Sequence, residues 1–252
     1  MGEQAESAAG YHVIWGTGYI GECPDLKIPD KTRNMIENST HDALAANGGQ
    51  ETQSPGTITL GKGSVKIYYI GSTVHDSLET DFDAKTERTI YFIRPSNGAL
   101  AGTCRKGTAI ISKMAEPVDK KGLITWEAEV TMTSGLTTIK TPATGLSTPF
   151  FVVSDDDTPT PNTITPVPAA AAAVYAYEVE LYSDTATFTI TPTFTAGTCY
   201  VNGTSVATGV ASGAITAPAA GKKMYLPVVL FETSKTPKIY LLICKKGPVA
   251  HP

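Results

Sequence analysis

Apolar and polar residues alternate along much of the chain, which is the pattern of β-strands with one buried face. The clearest case is LITWEAEVTMTS, where the alternation holds over ten residues. Trp126, Ala128 and Val130 fall on one side of this predicted strand. Its polar side consists of Thr125, Glu127, Glu129, Thr131 and Thr133. Shorter strands are predicted at Val65–Tyr69 and in RTIYFIRP.

One segment has a helical period instead. In STVHDSLETDFDAKT, Val74, Leu78 and Phe82 are spaced four residues apart and share a helix face. Thr73 suits the start of a helix, and the acids of the first turns suit its N-terminal end. We therefore predict a single helix in this part of the chain.

The segment KTRNMIENSTHDALAANGGQETQSPG has no sustained period and is mostly polar. It carries Gly48-Gly49 and Pro55-Gly56 near its end, which are turn signals. The pattern predicts a long loop over about residues 31–55. Such a loop is unusual inside a compact β domain and commonly binds partners.

The second half of the chain changes character. A Thr/Pro/Gly-rich stretch at 136–148 is predicted to be a linker. Short apolar runs with turn signals follow, and Asn202-Gly203 indicates a tight hairpin turn. Together these patterns predict a mainly β protein with one helix. An N-terminal β-barrel or sandwich domain (1–135) precedes a C-terminal antiparallel, Ig-like β-sandwich (149–252).

Composition narrows the function. A net charge of −4 gives no basic surface for sequence-driven nucleic-acid binding, and no apolar run reaches the about 18 residues that cross a bilayer. The start MGEQAESAAGYH lacks signal-peptide features. The four cysteines and four histidines are dispersed, without metal-site or catalytic spacing. We expect free, packed thiols, no metal, no cofactor and no enzymatic activity.

Two stretches resemble functional motifs. In HVIWGTGYIGECPDL, Gly16, Gly18 and Gly21 spell the dinucleotide-binding fingerprint, which requires a helix after the third glycine. Pro24 and Pro29 argue against that helix, so we predict a glycine-rich turn between two strands. The acids of SDDD predict a solvated loop rather than a calcium site.

Several stretches follow one another in a recognisable order: HVIWGTGYIGECPDLKIPD, the run ENSTHD, the strand-like PGTITL, then strand, helix and further strands. Over roughly residues 10–135 the chain thereby resembles the major tail tube proteins of long-tailed, siphovirus-type bacteriophages. From YEVELYSDTATFTITP through the VNG turn to MYLPVVL, the second half resembles bacterial immunoglobulin-like domains of the cadherin-like kind.

The resemblance implies a structural virion protein that forms stacked hexameric rings. Their joined sheets would make a tube through which DNA passes without specific binding. It also implies the tape-measure, tail terminator and tip proteins as partners, assembly in the host cytoplasm, and no membrane insertion. The C-terminal domain would decorate the tube exterior and contact the host surface weakly.

The resemblance also implies roles for individual residues. The long loop would reach a neighbouring subunit through Arg33, Met35, Ile36, Thr40, His41 and Asp42. The lumen-facing candidates are Thr125, Glu127, Glu129 and Thr131, whose acids and hydroxyls would repel the DNA backbone.

Two alternatives remain open from the sequence. One is a secreted bacterial surface protein whose Ig-like domain is adhesive or binds carbohydrate, with Tyr177 and Tyr182 as an exposed platform for sugars. The other is the inner-tube protein of a contractile injection system, which has the same architecture.

Overall fold

The computed structural model describes residues 11–23, 25–33, 36–37, 52–53, 58–68, 73–94, 103–115, 125–156, 161–169 and 176–250. The protein is mainly β, as the sequence predicts. The chain divides into two compact units, and each includes separate segments of the sequence. The first includes Cys23–Ile90 and Gly107–Leu136; the second includes Gly10–Glu22, Tyr91–Lys106 and Thr137–Pro252.

The strands and the helix are numbered in chain order. They are β1 (Tyr11–Trp15), β2 (Gly18–Cys23), β3 (Asp25–Lys27), β4 (Lys31–Arg33), β5 (Ile36–Glu37), β6 (Thr52–Gln53), β7 (Ile58–Leu60), β8 (Lys62–Tyr68), α1 (Thr73–Asp83), β9 (Arg88–Arg94), β10 (Thr103–Ala115), β11 (Thr125–Met132), β12 (Thr137–Ile139), β13 (Leu146–Asp155), β14 (Thr163–Ile164), β15 (Ala176–Leu181), β16 (Thr187–Phe194), β17 (Thr198–Val201), β18 (Thr204–Val206), β19 (Ile215–Thr216), β20 (Lys223–Phe231) and β21 (Lys238–Lys246).

The first unit contains the strand order β10–β11–β8–β3, with β10 entering the unit at Gly107. Trp126, Ala128 and Val130 of β11 are buried, and the intervening Glu127, Glu129 and Thr131 are partly exposed. The alternation predicted for this strand is therefore confirmed. The side chain of Thr125 lies outside the described residues.

The predicted helix is also confirmed. Leu78 of α1 is fully buried, because it falls on the apolar side of the helix. Buried Asp81 accepts two hydrogen bonds from Arg88, at 2.9 Å from Nε and 2.8 Å from Nη2. This paired geometry satisfies the buried carboxylate and joins the helix to the start of β9.

The region predicted as a long loop contains an antiparallel ribbon, which we call the arm (residues 31–60). In the arm, β4 pairs with β7, with Lys31 opposite Leu60 and Arg33 opposite Ile58. β5 pairs with β6. The described residues of this region therefore lie in paired strands, and the long loop over about residues 31–55 stays a prediction. Strands of two or three residues are too short to leave a recognisable period of alternation in the sequence.

The glycine-rich turn is confirmed. β1 ends at Trp15, Gly16 adopts a φ of 61°, and β2 begins at Gly18. A glycine at the first central position is typical of a tight two-residue hairpin turn. β3 follows β2 with Pro24 between them, so a strand lies where a dinucleotide site requires a helix.

The second unit contains a two-layer β-sandwich. One sheet has the order β14–β13–β16–β19 and the other the order β15–β21–β20–β17–β18. Buried residues of both sheets form one core, including Phe188, Leu226 and Tyr240. The prediction of a wholly antiparallel sandwich needs one correction, because β15 pairs with β21 in parallel. Asn202 and Gly203 have φ values of 47° and 82° in the β17–β18 turn, as the Asn-Gly signal predicts.

The second unit also contains the order β2–β1–β9–β10, with β12 paired to β10 at Cys104–Lys106. Ile14, Ile93 and Cys104 pack with Val229 of β20 in one apolar cluster. β20 is consequently buried over five consecutive residues, Leu226–Leu230, where a strand with one solvent face would alternate.

The segment predicted as a linker, 136–148, has regular structure. We call residues 137–145 the strap, since β12 begins it and hydrogen bonds fasten the rest. The Ala143 N–H donates to the Thr236 carbonyl at 2.9 Å, and the Thr236 N–H donates to the Thr141 carbonyl at 2.8 Å. The domain limits 1–135 and 149–252 stay a prediction. The described residues include no helix whose length and apolar character would let it span a bilayer.

Candidate assembly surfaces

The outward side of the sheet in the first unit is a surface of mixed charge, which we call the polar face. Residues directly opposite one another in an antiparallel pair point to the same side. Glu127 is opposite Lys66, Glu129 is opposite Ser64, and Thr131 is opposite Lys62. The charged positions of the polar face are Asp25, Lys27, Lys62, Lys66, Lys113, Glu127 and Glu129, and Ser64 and Thr131 lie among them.

Both glutamates of the polar face are paired with lysines. Lys66 Nζ lies 2.5 Å from Glu127 Oε1, directly across the β8–β11 ladder. Lys62 Nζ donates to Glu129 Oε1 at 2.6 Å along the diagonal. All four side chains are partly exposed, between 34% and 62%, so solvent and ions reach both pairs.

Glu129 has further partners from β10. A β-bulge between Ile111 and Lys113 places an extra residue, Ser112, opposite β11. The Ser112 hydroxyl lies 3.1 Å from the Glu129 carbonyl and 3.2 Å from Oε1, and its single hydrogen can be donated to either oxygen. The hydrogen bond from Lys62 is the main cause of a lowered pKa for Glu129, and the charges of Lys62 and Lys113 act in the same direction. Glu129 is therefore ionised at neutral pH.

This geometry changes the electrostatic argument for the lumen candidates. The sequence suggests an acidic and hydroxylic surface, but the structure places four lysines among the same positions. Lys27 lies 3.9 Å from exposed Asp30, which balances one of them. Lys62 and Lys66 of β8 were not singled out from the sequence. In GKGSVKIY these lysines are four residues apart and therefore share one side of the strand, while Val65 lies on the other side. The face therefore carries both signs of charge, and the lumen-facing role of Thr125, Glu127, Glu129 and Thr131 stays a prediction.

The arm residues are only partly described. Arg33 ends β4 opposite Ile58, and Ile36 begins β5 opposite Gln53. The other predicted contact residues, Met35, Thr40, His41 and Asp42, lie outside the described residues. As described, the two arm ladders are separate sheets of two strands and do not join a larger sheet.

The sandwich has short strands at most of its edges. β14 and β19 have two residues each and β18 has three. β15 is longer, but the N–H groups of Val167 and Glu178 donate to each other's carbonyls at 2.8 and 2.6 Å. Short or covered edges resist pairing with strands of another molecule.

The prediction that Tyr177 is exposed and contributes to a platform for sugars was wrong. Its side chain is 1% exposed and makes an edge contact with Phe151, with ring centroids 4.9 Å apart. Tyr182 is half-buried. The alternation of β15 contained this signal, since Tyr177 shares its side with Val179 and Leu181, which are also buried.

A buried carboxylate that the sequence did not single out fastens the strap. Glu232 follows β20, and its side chain is 5% exposed. It accepts hydrogen bonds from the Thr144 N–H, from the Thr144 hydroxyl at 3.2 Å and from Lys235 Nζ. Lys238 Nζ donates to the Thr144 carbonyl at 3.1 Å.

The described thiols are packed in apolar surroundings. Burial raises the pKa of Cys104, Cys199 and Cys244 to about 12, and all three are free. Within the described part of the chain, no group of three or more His, Cys, Asp or Glu residues could hold a metal ion. The SDDD prediction needs a correction at Asp155, which is buried and accepts the Asn162 N–H at 2.7 Å.

Comparisons with known proteins found distant structural likenesses. No family model and no curated protein matches the sequence. One similar solved structure belongs to the virion of a native gene transfer agent particle, at 11% identity and a TM-score of 0.41. It covers 51% of this chain and 95% of the other. Another, a hybrid NMR and cryo-EM structure of the SPP1 tail tube, has 12% identity and a TM-score of 0.37, covering 52% and 76%. At these scores and identities the likenesses establish neither a family nor an activity.

Proposed function

We propose that the chain is a structural virion protein that polymerises as stacked hexameric rings into a phage tail tube. The arm carries this proposal. An isolated two-stranded ribbon is at best marginally stable in water, and the described strands of the arm pair only with one another. A ribbon of this kind gains stability by packing on another surface, and in a repeating assembly that surface belongs to the next copy.

The distribution of strand edges supports the same proposal. β2 has six residues and lies at one end of its strand order, while β3 lies at the end of the other. Exposed strand edges invite pairing with a second chain, and closing strands into a barrel removes those edges. The sandwich has short or covered edges instead. This contrast favours assembly through the N-terminal strands, with the sandwich as decoration on the exterior.

The remaining parts of the proposal follow from the sequence resemblance. DNA passes through the tube without specific binding, and the tape-measure, terminator and tip proteins are the other partners. The sandwich contacts the host surface weakly. The burial of Tyr177 counts against the sugar-binding alternative in the form that the sequence suggested.

Negative-stain electron microscopy of the purified chain tests the proposal. We expect rings or tubes with a central channel and knobs on the outside. Monodisperse monomers at high protein concentration would contradict it.

A variant lacking residues 34–52 tests the arm. We expect a folded monomer that no longer polymerises, because β4 and β7 keep their pairing while most of the arm is removed. Circular dichroism and sedimentation velocity provide the readouts. Normal tubes formed by this variant would refute the role of the arm.

A further inference from the structure

The polar face carries four lysines, and two glutamates lie among them. Asp25 of β3 is opposite Lys66, and Asp30 lies 3.9 Å from Lys27. Lys62 and Lys66 lie on β8, four residues or about 13 Å apart. Lys113 of β10 lies opposite Glu129, and Lys27 of β3 lies opposite Ser64. Without acids, four ammonium groups on one side of the sheet would form a surface suited to the phosphates of DNA.

The two glutamates occupy the middle of this cationic surface. Both lie on β11, which is hydrogen-bonded to β8 on one side and to β10 on the other. Glu127 is therefore within contact distance of Lys66, and Glu129 is between Lys62 and Lys113. Exposed ion pairs of this kind contribute little to folding stability. Their effect on DNA binding by the polar face is larger, because each carboxylate cancels a nearby positive charge and repels phosphate.

From this geometry we infer that Glu127 and Glu129 prevent the polar face from binding DNA by pairing with its lysines. The inference rests on the proposed function, in which this face lines the DNA channel. The sequence suggested that unpaired acids repel DNA. In the present inference, the glutamates instead neutralise lysines of the same subunit. A DNA phosphate that approaches Lys62 or Lys66 must displace a carboxylate already in contact.

The test measures DNA binding by the full-length chain with both glutamates changed, E127Q/E129Q. Fluorescence anisotropy with a labelled duplex, between 50 and 200 mM salt, gives the affinity and its salt dependence. Freeing Lys62, Lys66 and Lys113 should steepen the slope of log K against log salt by up to about 2.7, since each phosphate contact contributes about 0.9. We expect at least about tenfold tighter binding than wild type at the lowest salt.

A matched control is available in the sandwich. Glu178 and Glu180 flank Lys245, whose Nζ lies 3.5 and 3.1 Å from their carboxylates. The variant E178Q/E180Q changes the net charge by the same amount but leaves the polar face intact. It should bind DNA as weakly as wild type. Adding K62Q/K66Q to E127Q/E129Q should abolish most of the gained binding.

The possible outcomes separate this inference from the proposed function. Equal DNA binding by E127Q/E129Q and E178Q/E180Q would overturn the inference, as would a gain that survives K62Q/K66Q. Both comparisons measure DNA binding by the unassembled full-length chain, so they do not depend on tube formation. Absence of tubes in electron microscopy would count against the proposed function alone.

Discussion

Replacing Glu232 with alanine tests whether the strap is held to the sandwich. The Glu232 carboxylate is almost completely buried and accepts hydrogen bonds from Thr144 of the strap and from Lys235 of the turn before β21. Alanine removes both acceptor oxygens at once. The Thr144 N–H then loses this acceptor, and the Lys235 ammonium group keeps its hydrogen bond to the Thr144 hydroxyl at 3.2 Å.

The expected cost follows from these contacts. A hydrogen bond to a charged group contributes about 1.5–3 kcal/mol, and breaking a buried ion pair costs about 3–5 kcal/mol. The Lys235 side chain is 35% exposed, so water compensates part of its loss. We therefore expect about 3 kcal/mol of destabilisation, near the lower limit of the buried-pair range. In a protein of this size that lowers Tm by about 6–12 °C.

Thermal unfolding at pH 7 checks this estimate. Glu178→Ala is the control, because Glu178 is 52% exposed and its contact with Lys245 is 3.5 Å. An exposed pair contributes at most about 1 kcal/mol, so the control should change Tm by no more than about 4 °C. Equal Tm values for E232A and E178A would refute the reasoning and indicate that residues 137–145 act as a flexible linker.

The pH dependence gives a second check on the same carboxylate. Burial by itself raises the pKa of Glu232, but hydrogen bonds from Lys235 and Thr144 outweigh burial and hold that pKa below its ordinary value of 4.5. A lowered folded-state pKa means that the contribution to stability is complete above the unfolded-state value. It is lost as pH falls through the folded-state value. The Tm difference between wild type and E232A should therefore shrink below about pH 4.5.

Two further measurements test the packing, one in each unit. Asp81→Asn should weaken the paired contact with Arg88 and lower the free energy of unfolding by about 1–3 kcal/mol in urea titrations. Glu79→Gln, on an exposed position of the same helix, should be close to neutral, and equal losses in the two variants would contradict the reasoning. The three buried cysteines should resist iodoacetamide at pH 8 until the chain unfolds, because their thiols stay protonated. Rapid native-state labelling of Cys199, located by mass spectrometry, would contradict its burial.

Features with a local cause could be predicted from the sequence. The β1–β2 turn and the β17–β18 turn both require a positive φ, which glycine and asparagine adopt most easily. The helix α1 and the strand β11 are marked by their apolar periods, since one face of each is buried. These signals involve neighbouring residues and therefore do not depend on the rest of the fold.

Features that depend on distant pairing were missed. β10 is the longest strand described, but lysines and Gly107 interrupt its pattern, and its partners lie on three other strands. The arm strands have only two or three residues each, and their ladders join residues such as Arg33 and Ile58 that are far apart in the sequence. Nothing local distinguishes such strands from a loop.

The amino-acid sequence by itself determined the β-rich class, the helix, the two tight turns and the existence of a polar side on β11. The tertiary structure decided what that polar side presents. Glu127 and Glu129 meet Lys66 and Lys62 only because the register of β8 and β11 sets them opposite or diagonal to one another. A shift of one residue would turn either strand's charges toward the core, so the buried positions fix this register. The charge balance of the surface is therefore a consequence of packing on its other side.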